Sequence, residues 1–184
     1  MSDPLRILGV DPGSQVTGFG VIEQRGAAYD YVASGCIRLK GETLGERLQT
    51  LFVGMTEVIE THRPALMAVE RVFVRRNADS ALKLGQARGA AICAAALRPL
   101  TVYEYAPAEI KKAVAGTGRA TKEQIQHMVK VLLKLRGDLA EDAADALACA
   151  LCHSHVSRTR ARMEQAASSL GAGKKGTAPF FEGL

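Results

Sequence analysis

Two apolar runs in this chain each end in an acid. Ile7-Leu8-Gly9-Val10 is followed by Asp11 and then Pro12-Gly13, and Ala65-Leu66-Met67-Ala68-Val69 is followed by Glu70. Short runs that are apolar throughout and bounded by turn residues fit strands covered on both faces. An ionised carboxylate at the end of such a strand is costly unless it is paired or meets a cation. Any fold of this chain must therefore bring both strand ends to a place that tolerates negative charge. A third acidic segment, Glu141-Asp142-Ala143-Ala144-Asp145, opens an Ala-rich stretch. On a helix Asp142 and Asp145 project from one face, where they repel each other and a divalent cation would relieve them.

Each acid also has an ordinary explanation. Asp142 in a first helical turn is favoured by the macrodipole, and Glu70 beside Arg71 is what an exposed strand end looks like. Four acids from three segments, all near element ends, fit the oxygen-rich octahedral preference of Mg²⁺. Zinc would draw on His or Cys.

The spacing of apolar residues predicts the rest of the architecture. Leu5–Asp11, Thr17–Gln24 and Tyr29–Leu39 read as strands, the last two at hairpin spacing about Arg25-Gly26. A helix from Thr43 to about His62 follows, then the strand Ala65–Glu70, a small-sided helix Asp79–Leu97 and the strand Thr101–Tyr105. Helices over 107–114, 121–135 and 141–155 close the order. This pattern predicts an α/β fold, a mixed five-stranded sheet flanked by helices. From about Ser157 the periodicity stops, so residues 1–156 read as one domain and 157–184 as a basic, mobile tail, with Phe180-Phe181 as a docking spot.

The chain has 184 residues and 24 Lys and Arg against 19 Asp and Glu, which points to an anionic partner without naming it. The tail holds five cations (Arg158, Arg160, Arg162, Lys174, Lys175) against two acids, Glu164 and Glu182. Between Lys111 and Arg136 there are seven cations and one acid, Glu123, and Arg71, Arg75 and Arg76 follow Glu70. Such runs are also what a solvated helix face looks like. Four cysteines are too few for a disulfide scaffold. The amino terminus lacks a secretory signal pattern, and no apolar run approaches the ~20 residues needed to span a bilayer. A cytoplasmic protein with no membrane partner is expected.

Several motif matches fail on their context. Cys149-Ala-Leu-Cys152-His153 has the haem-attachment spacing, but that requires export, and a zinc site lacks a second ligand pair. Positions 142, 145, 149, 152 and 156 share a helical stripe, so the two cysteines read as core below the acids. Gly171-Ala-Gly173-Lys174-Lys175-Gly176-Thr177 lacks the Walker order, and Gly18-Phe-Gly20 lacks the third glycine of a dinucleotide loop.

Longer segments carry a resemblance. Gly9-Val-Asp11-Pro-Gly-Ser14, Thr17-Gly-Phe-Gly20, Ser34-Gly-Cys36 and Val69-Glu70-Arg-Val-Phe73 belong to it, as do Asn77 through Gly89, Gln126-His-Met128 and Asp142-Ala-Ala-Asp145-Ala-Leu-Ala. Together they resemble the RuvC family of Holliday-junction resolvases over about 5–156. The segment from Asn77 is highly specific; the Asp142–Ala148 segment is shared more loosely with related nucleases.

The resemblance implies an RNase H-like fold and a structure-selective endodeoxyribonuclease that resolves four-way DNA junctions in recombination and repair. It puts catalytic and metal-binding acids at Asp11, Glu70, Asp142 and Asp145, two Mg²⁺ per site with Mn²⁺ as a substitute, and 5′-phosphate and 3′-hydroxyl products. It places functionally needed cations at Lys111 and Lys122 and a junction-engaging aromatic at Phe73; Arg75 and Arg76 join these as DNA-contact candidates. It further implies a homodimer, for which the Asp79–Leu97 helix with Gly85 and Gly89 is the interface candidate, tight packing on its own sheet being the alternative. RuvA and RuvB are implied partners. The rival readings are a YqgF-type, RNA-directed relative, against which Phe73 and the Asn77–Gly89 segment argue, and an actin-like ATPase, which needs a second phosphate loop. A catalytically silent junction binder would not keep all four acids.

Overall fold

The computed structural model describes residues 4–72 and 78–172. Its sheet is built from β1 (Leu5–Asp11), β2 (Val16–Arg25), β3 (Ala28–Arg38), β4 (Leu66–Glu70) and β5 (Thr101–Tyr105). They lie in the order β3-β2-β1-β4-β5. The β1–β2 and β2–β3 pairs are antiparallel, whereas β1–β4 and β4–β5 are parallel. The helices are α1 (Leu44–His62), α2 (Ala78–Ala96), α3 (Pro107–Ala115), α4 (Lys122–Leu132) and α5 (Glu141–Ala172). This is the expected RNase H-like arrangement.

Alternation along the strands divides the core into two layers. Leu8, Val10, Val21, Met67 and Val69 face α1 and α2, meeting Leu51, Met55, Ala87 and Ala91. Ile7, Ile22, Leu66 and Ala68 face the other way, onto Ile110, Val129, Leu147 and Leu151 of α3, α4 and α5. Burial of the Leu, Ile, Val and Met side chains among these contributes roughly 1.5–3 kcal/mol each. α1 starts at a capping box, in which the Thr43 hydroxyl accepts from the Glu46 N–H (3.3 Å) and the Glu46 carboxylate accepts from the Thr43 N–H (3.1 Å). It ends at Arg63, which is left-handed (φ 46°) and precedes Pro64.

Two glycines set how closely α5 approaches the sheet. A Cβ on Gly9 of β1 would collide with the Ala146 carbonyl, and one on Gly18 of β2 with the Asp142 carbonyl. Without side chains there, the first turns of α5 lie directly on β1 and β2.

α5 also passes the boundary expected near His155, continuing to Ala172. The first turn of this extension is fixed to the β2–β3 hairpin. Ser154 Oγ donates to Gln24 Oε1 (2.6 Å), and Arg158 donates to the Tyr29 hydroxyl (2.7 Å). No described helix is long and apolar enough to cross a membrane.

Candidate active site

Parallel pairing of β1 and β4, in register from Ile7 with Leu66 to Val10 with Val69, puts the carboxyl ends of both strands at one edge of the sheet. Asp11 and Glu70 are the residues at those ends, and α5, drawn in by the glycines, sets its first turn beside them. The result is a cleft lined by Asp11, Glu70, Asp145, Lys111 and Lys122, with Pro107, Ile110, Ile125 and Ala148 as its apolar walls. A second depression continues from Asp11 and Glu70 past Arg71 and Leu84.

The electrostatics of the cleft are those of too much negative charge in too little water. Burial, then Glu70, Asp145 and Asp142, push the Asp11 carboxyl up to about 8, against a smaller opposing pull from Lys122. Glu70 is raised by burial and by Asp145, with its hydrogen bond to Asp11 and the charges of Lys122 and Lys111 working the other way. Burial raises Asp145 as well, against the neighbouring Lys122.

Lys122 is the one cation in direct contact with these acids among the described residues. Its Nζ reaches Asp145 Oδ2 at 3.2 Å and also pairs with Glu141. Burial disfavours its ammonium, but the hydrogen bond to Glu141 and the attraction and hydrogen bond of Asp145 outweigh that and raise its pKa. Its position is set by the turn that opens α4, where the Thr121 N–H donates to Gln124 Oε1 (2.8 Å) and the Thr121 hydroxyl accepts from the Gln124 N–H (3.3 Å).

Of the expected site residues, Asp11, Glu70, Asp145, Lys111 and Lys122 share the cleft. Asp142 sits one helical turn before Asp145, its backbone against Gly18 and its charge acting on both Asp11 and Cys36. Among the described residues no three acidic, His or Cys side chains already surround a single point at coordinating geometry. Phe73, Arg75 and Arg76 lie outside the described residues. Glu141, as the second partner of Lys122, was not expected. The sequence signal for it was only its place one residue before Asp142.

Cys149 and Cys152 are fully buried, as the helical stripe predicts. Burial pushes the Cys152 thiol up to about 12, which makes it core and not a ligand. His153 is likewise buried, shares a 2.8 Å hydrogen bond with the Tyr105 hydroxyl, and is driven down to about 4 by desolvation. Among the described residues, nothing outside α2 lies within 4 Å of where a Cβ would stand on Gly85 or Gly89. The side of α2 that packs on the sheet is built from Ala87, Ala91, Ala94 and Ala95.

Comparison with known proteins agrees with the geometry. The family model "Crossover junction endodeoxyribonuclease RuvC" matches residues 7–153. A protein of that name from Pseudomonas entomophila is 60% identical over 150 residues, 82% of this chain and 86% of its own length. One from Tolumonas auensis is 55% identical over 157 residues, 85% of this chain and 91% of its own length. Among solved structures, Thermus thermophilus RuvC in complex with a Holliday junction substrate superposes with a TM-score of 0.80 at 34% identity, covering 84% of this chain and 96% of that one. On the fold, the site and these relatives together, the chain belongs to the RuvC family of crossover junction endodeoxyribonucleases.

Proposed function

We propose that this chain, a crossover junction endodeoxyribonuclease by family, resolves four-way DNA junctions by hydrolysing two strands of like polarity, using divalent metal held by Asp11, Glu70, Asp142 and Asp145. The observation that carries the reading is Asp11, whose carboxyl is pushed up to about 8 amid three other acids. A donor set made only of carboxylate oxygens, carrying more negative charge than its surroundings solvate, fits hard cations such as Mg²⁺, with Mn²⁺ as a substitute. Two ions per site suit four carboxylates from three elements. When bound, they would lower the pKa of the attacking water and stabilise the oxygen that leaves.

The residues supply the remainder. Asp11, between Glu70 and the α5 pair, would be the carboxylate that serves both sides of the site. Lys111 and Lys122, at the cleft, attract the phosphodiester that must enter a site of like charge. Water attacks phosphorus, the P–O3′ bond breaks and the 3′ oxygen takes a proton, leaving a 5′-phosphate and a 3′-hydroxyl that a ligase can reseal. Phe73, Arg75 and Arg76, which follow Glu70 in the chain, engage the branch point, where unstacking is cheapest.

A junction with near two-fold symmetry calls for two equivalent sites, so the working enzyme is a C2 homodimer. The open face of α2 supports this: Leu82 is 62% exposed on a helix whose two glycines permit close approach, and Leu97, just past the end of that helix, is 70% exposed. Residues 1–156 form the nuclease and 157–184 a basic extension. The setting is cytoplasmic, and RuvA and RuvB are partners by family.

Purified protein incubated with a mobile four-way junction, a nicked duplex and an RNA duplex tests the reading. Paired symmetric nicks in the junction, with metal and not with chelator, are expected. Equal cutting of all three substrates would overturn it, and a preference for RNA would favour the YqgF-type alternative.

A further inference from the structure

Lys122 bridges two acids that differ in kind. Asp145 lines the cleft and is 21% exposed, whereas Glu141, the first residue of α5, is 58% exposed and lies outside the cleft lining. The ammonium therefore stands at the cleft mouth with one acceptor inside and one outside. Glu109 of α3 is absent from the cleft lining and is engaged elsewhere: its carboxylate accepts from the Ala106 N–H at 2.7 Å and from Arg71 at 3.3 Å.

A divalent cation on Asp145 competes with the Lys122 ammonium for the same carboxylate, since two cations on one acceptor group repel each other. Metal that takes Asp145 therefore weakens its pair with Lys122. We propose that Glu141 is a positioning residue that keeps the Lys122 ammonium at the cleft mouth when metal takes Asp145. This rests on the reading that Asp145 is a metal ligand. Lys122 is then the internal counter-cation of the metal-free site, and metal loading moves it onto the outer acceptor without expelling it. The sharing of one side chain between two acids, four residues and one helical turn apart on α5, provides both end points of that movement.

The consequence is measurable without DNA and without catalysis. Take away the charge of Glu141 and Lys122 has only Asp145 as an ion-pair partner, so metal meets stronger competition there with no second acceptor to share the ammonium. Take away Lys122 and the competition disappears, and with it any role for Glu141. Mn²⁺ binding to the DNA-free, full-length protein, counted by electron paramagnetic resonance, reads both. The expectation is that Glu141→Gln weakens Mn²⁺ binding about fivefold, that Lys122→Met tightens it, and that adding Glu141→Gln to Lys122→Met changes it by less than about twofold. Both side chains are exposed or nearly so, and circular dichroism checks that each variant folds.

A fivefold loss from Glu141→Gln in both backgrounds overturns the proposal, because it would mean that Glu141 attracts the metal through space. No loss in either background overturns it equally. Failure of the wild-type protein to bind Mn²⁺, or binding that Asp11→Asn leaves untouched, overturns the metal reading itself and the proposal with it.

Discussion

Gly9 of β1 lies against the backbone carbonyl of Ala146 on α5, so closely that a Cβ would occupy the space of the oxygen. The acids of α5 depend on this contact, because Asp142 and Asp145 reach Asp11 only if the helix rests on the strand. Gly9→Ala should therefore cost about 1–3 kcal/mol or more in stability, as an overpacked position that only backbone movement can relieve. It should cost cleavage further, since a shift of about 1 Å in a catalytic group can lower the rate about a hundredfold. Urea melts and single-turnover rates taken well below the melting point separate the two. Gly118→Ala is the control, because its nearest neighbour, the Ala108 carbonyl oxygen, stands at 3.5 Å, an ordinary contact distance. A Gly9→Ala enzyme that cuts at the wild-type rate would show that α5 is not held by this approach.

Asp11 links pH to stability. Its folded value of about 8 lies above the ordinary 3.8, so the folded chain keeps a proton there over a range in which the unfolded chain has released it. The stability this contributes is complete below the ordinary value and is lost as pH rises through the folded one. In chelator, the wild-type melting temperature should fall between about pH 5 and about pH 9, and Asp11→Asn should flatten that fall and melt higher at the alkaline end. The same variant should not cleave, yet should bind the junction at least as well as the wild type. Identical melting profiles for the two proteins in chelator would remove Asp11 from the crowded site.

Lys111 is half-buried in the cleft and its charge acts on Glu70. If it neutralises a phosphate, Lys111→Ala should reduce the salt dependence of junction binding by about one unit of log–log slope. Binding isotherms in chelator at several salt concentrations give that slope directly. An unchanged slope would leave Lys111 a role within the cleft alone.

The open face of α2 makes a separable prediction about assembly. Because no described residue outside α2 lies within 4 Å of a Cβ at Gly85, Gly85→Glu should leave the isolated subunit folded, and Glu is the better helix former. In a dimer packed on this face the same charge would be buried without a partner. Sedimentation should then give a folded monomer for the variant and a dimer for the wild type. A variant that still dimerises would move the interface elsewhere.

The strands and helices were legible because their apolar spacing reports directly on what they bury; the ends of the strands and of α1, α2 and α3 fall within a residue of expectation, whereas α4 stops at Leu132, three residues short. The carboxylates were legible for a related reason: Asp11 and Glu70 close apolar runs, and neighbouring parallel strands end on the same edge. Two features were not legible. α5 continues beyond Ser157 because an Ala- and Arg-rich run without proline favours helix even where there is no buried face for periodicity to reveal. The pairing of Lys122 with Glu141 joins the starts of two helices, and only the tertiary fold brings those together. The small-sided α2 left two readings open: its alanines Ala87, Ala91, Ala94 and Ala95 pack on the sheet, while Gly85 and Gly89 meet no described residue outside their own helix.

α5 runs 32 residues from Glu141 to Ala172, and at about 1.5 Å per residue it is close to 48 Å long. It therefore works as a ruler as well as a wall of the core. Arg162 sits about 30 Å along it from Asp142, roughly nine base steps of a DNA strand. Distance alone keeps that end from the carboxylates. At about three Debye lengths, a change of charge at Arg162 leaves the field around Asp142 and Asp145, at the other end of the same helix, as it is.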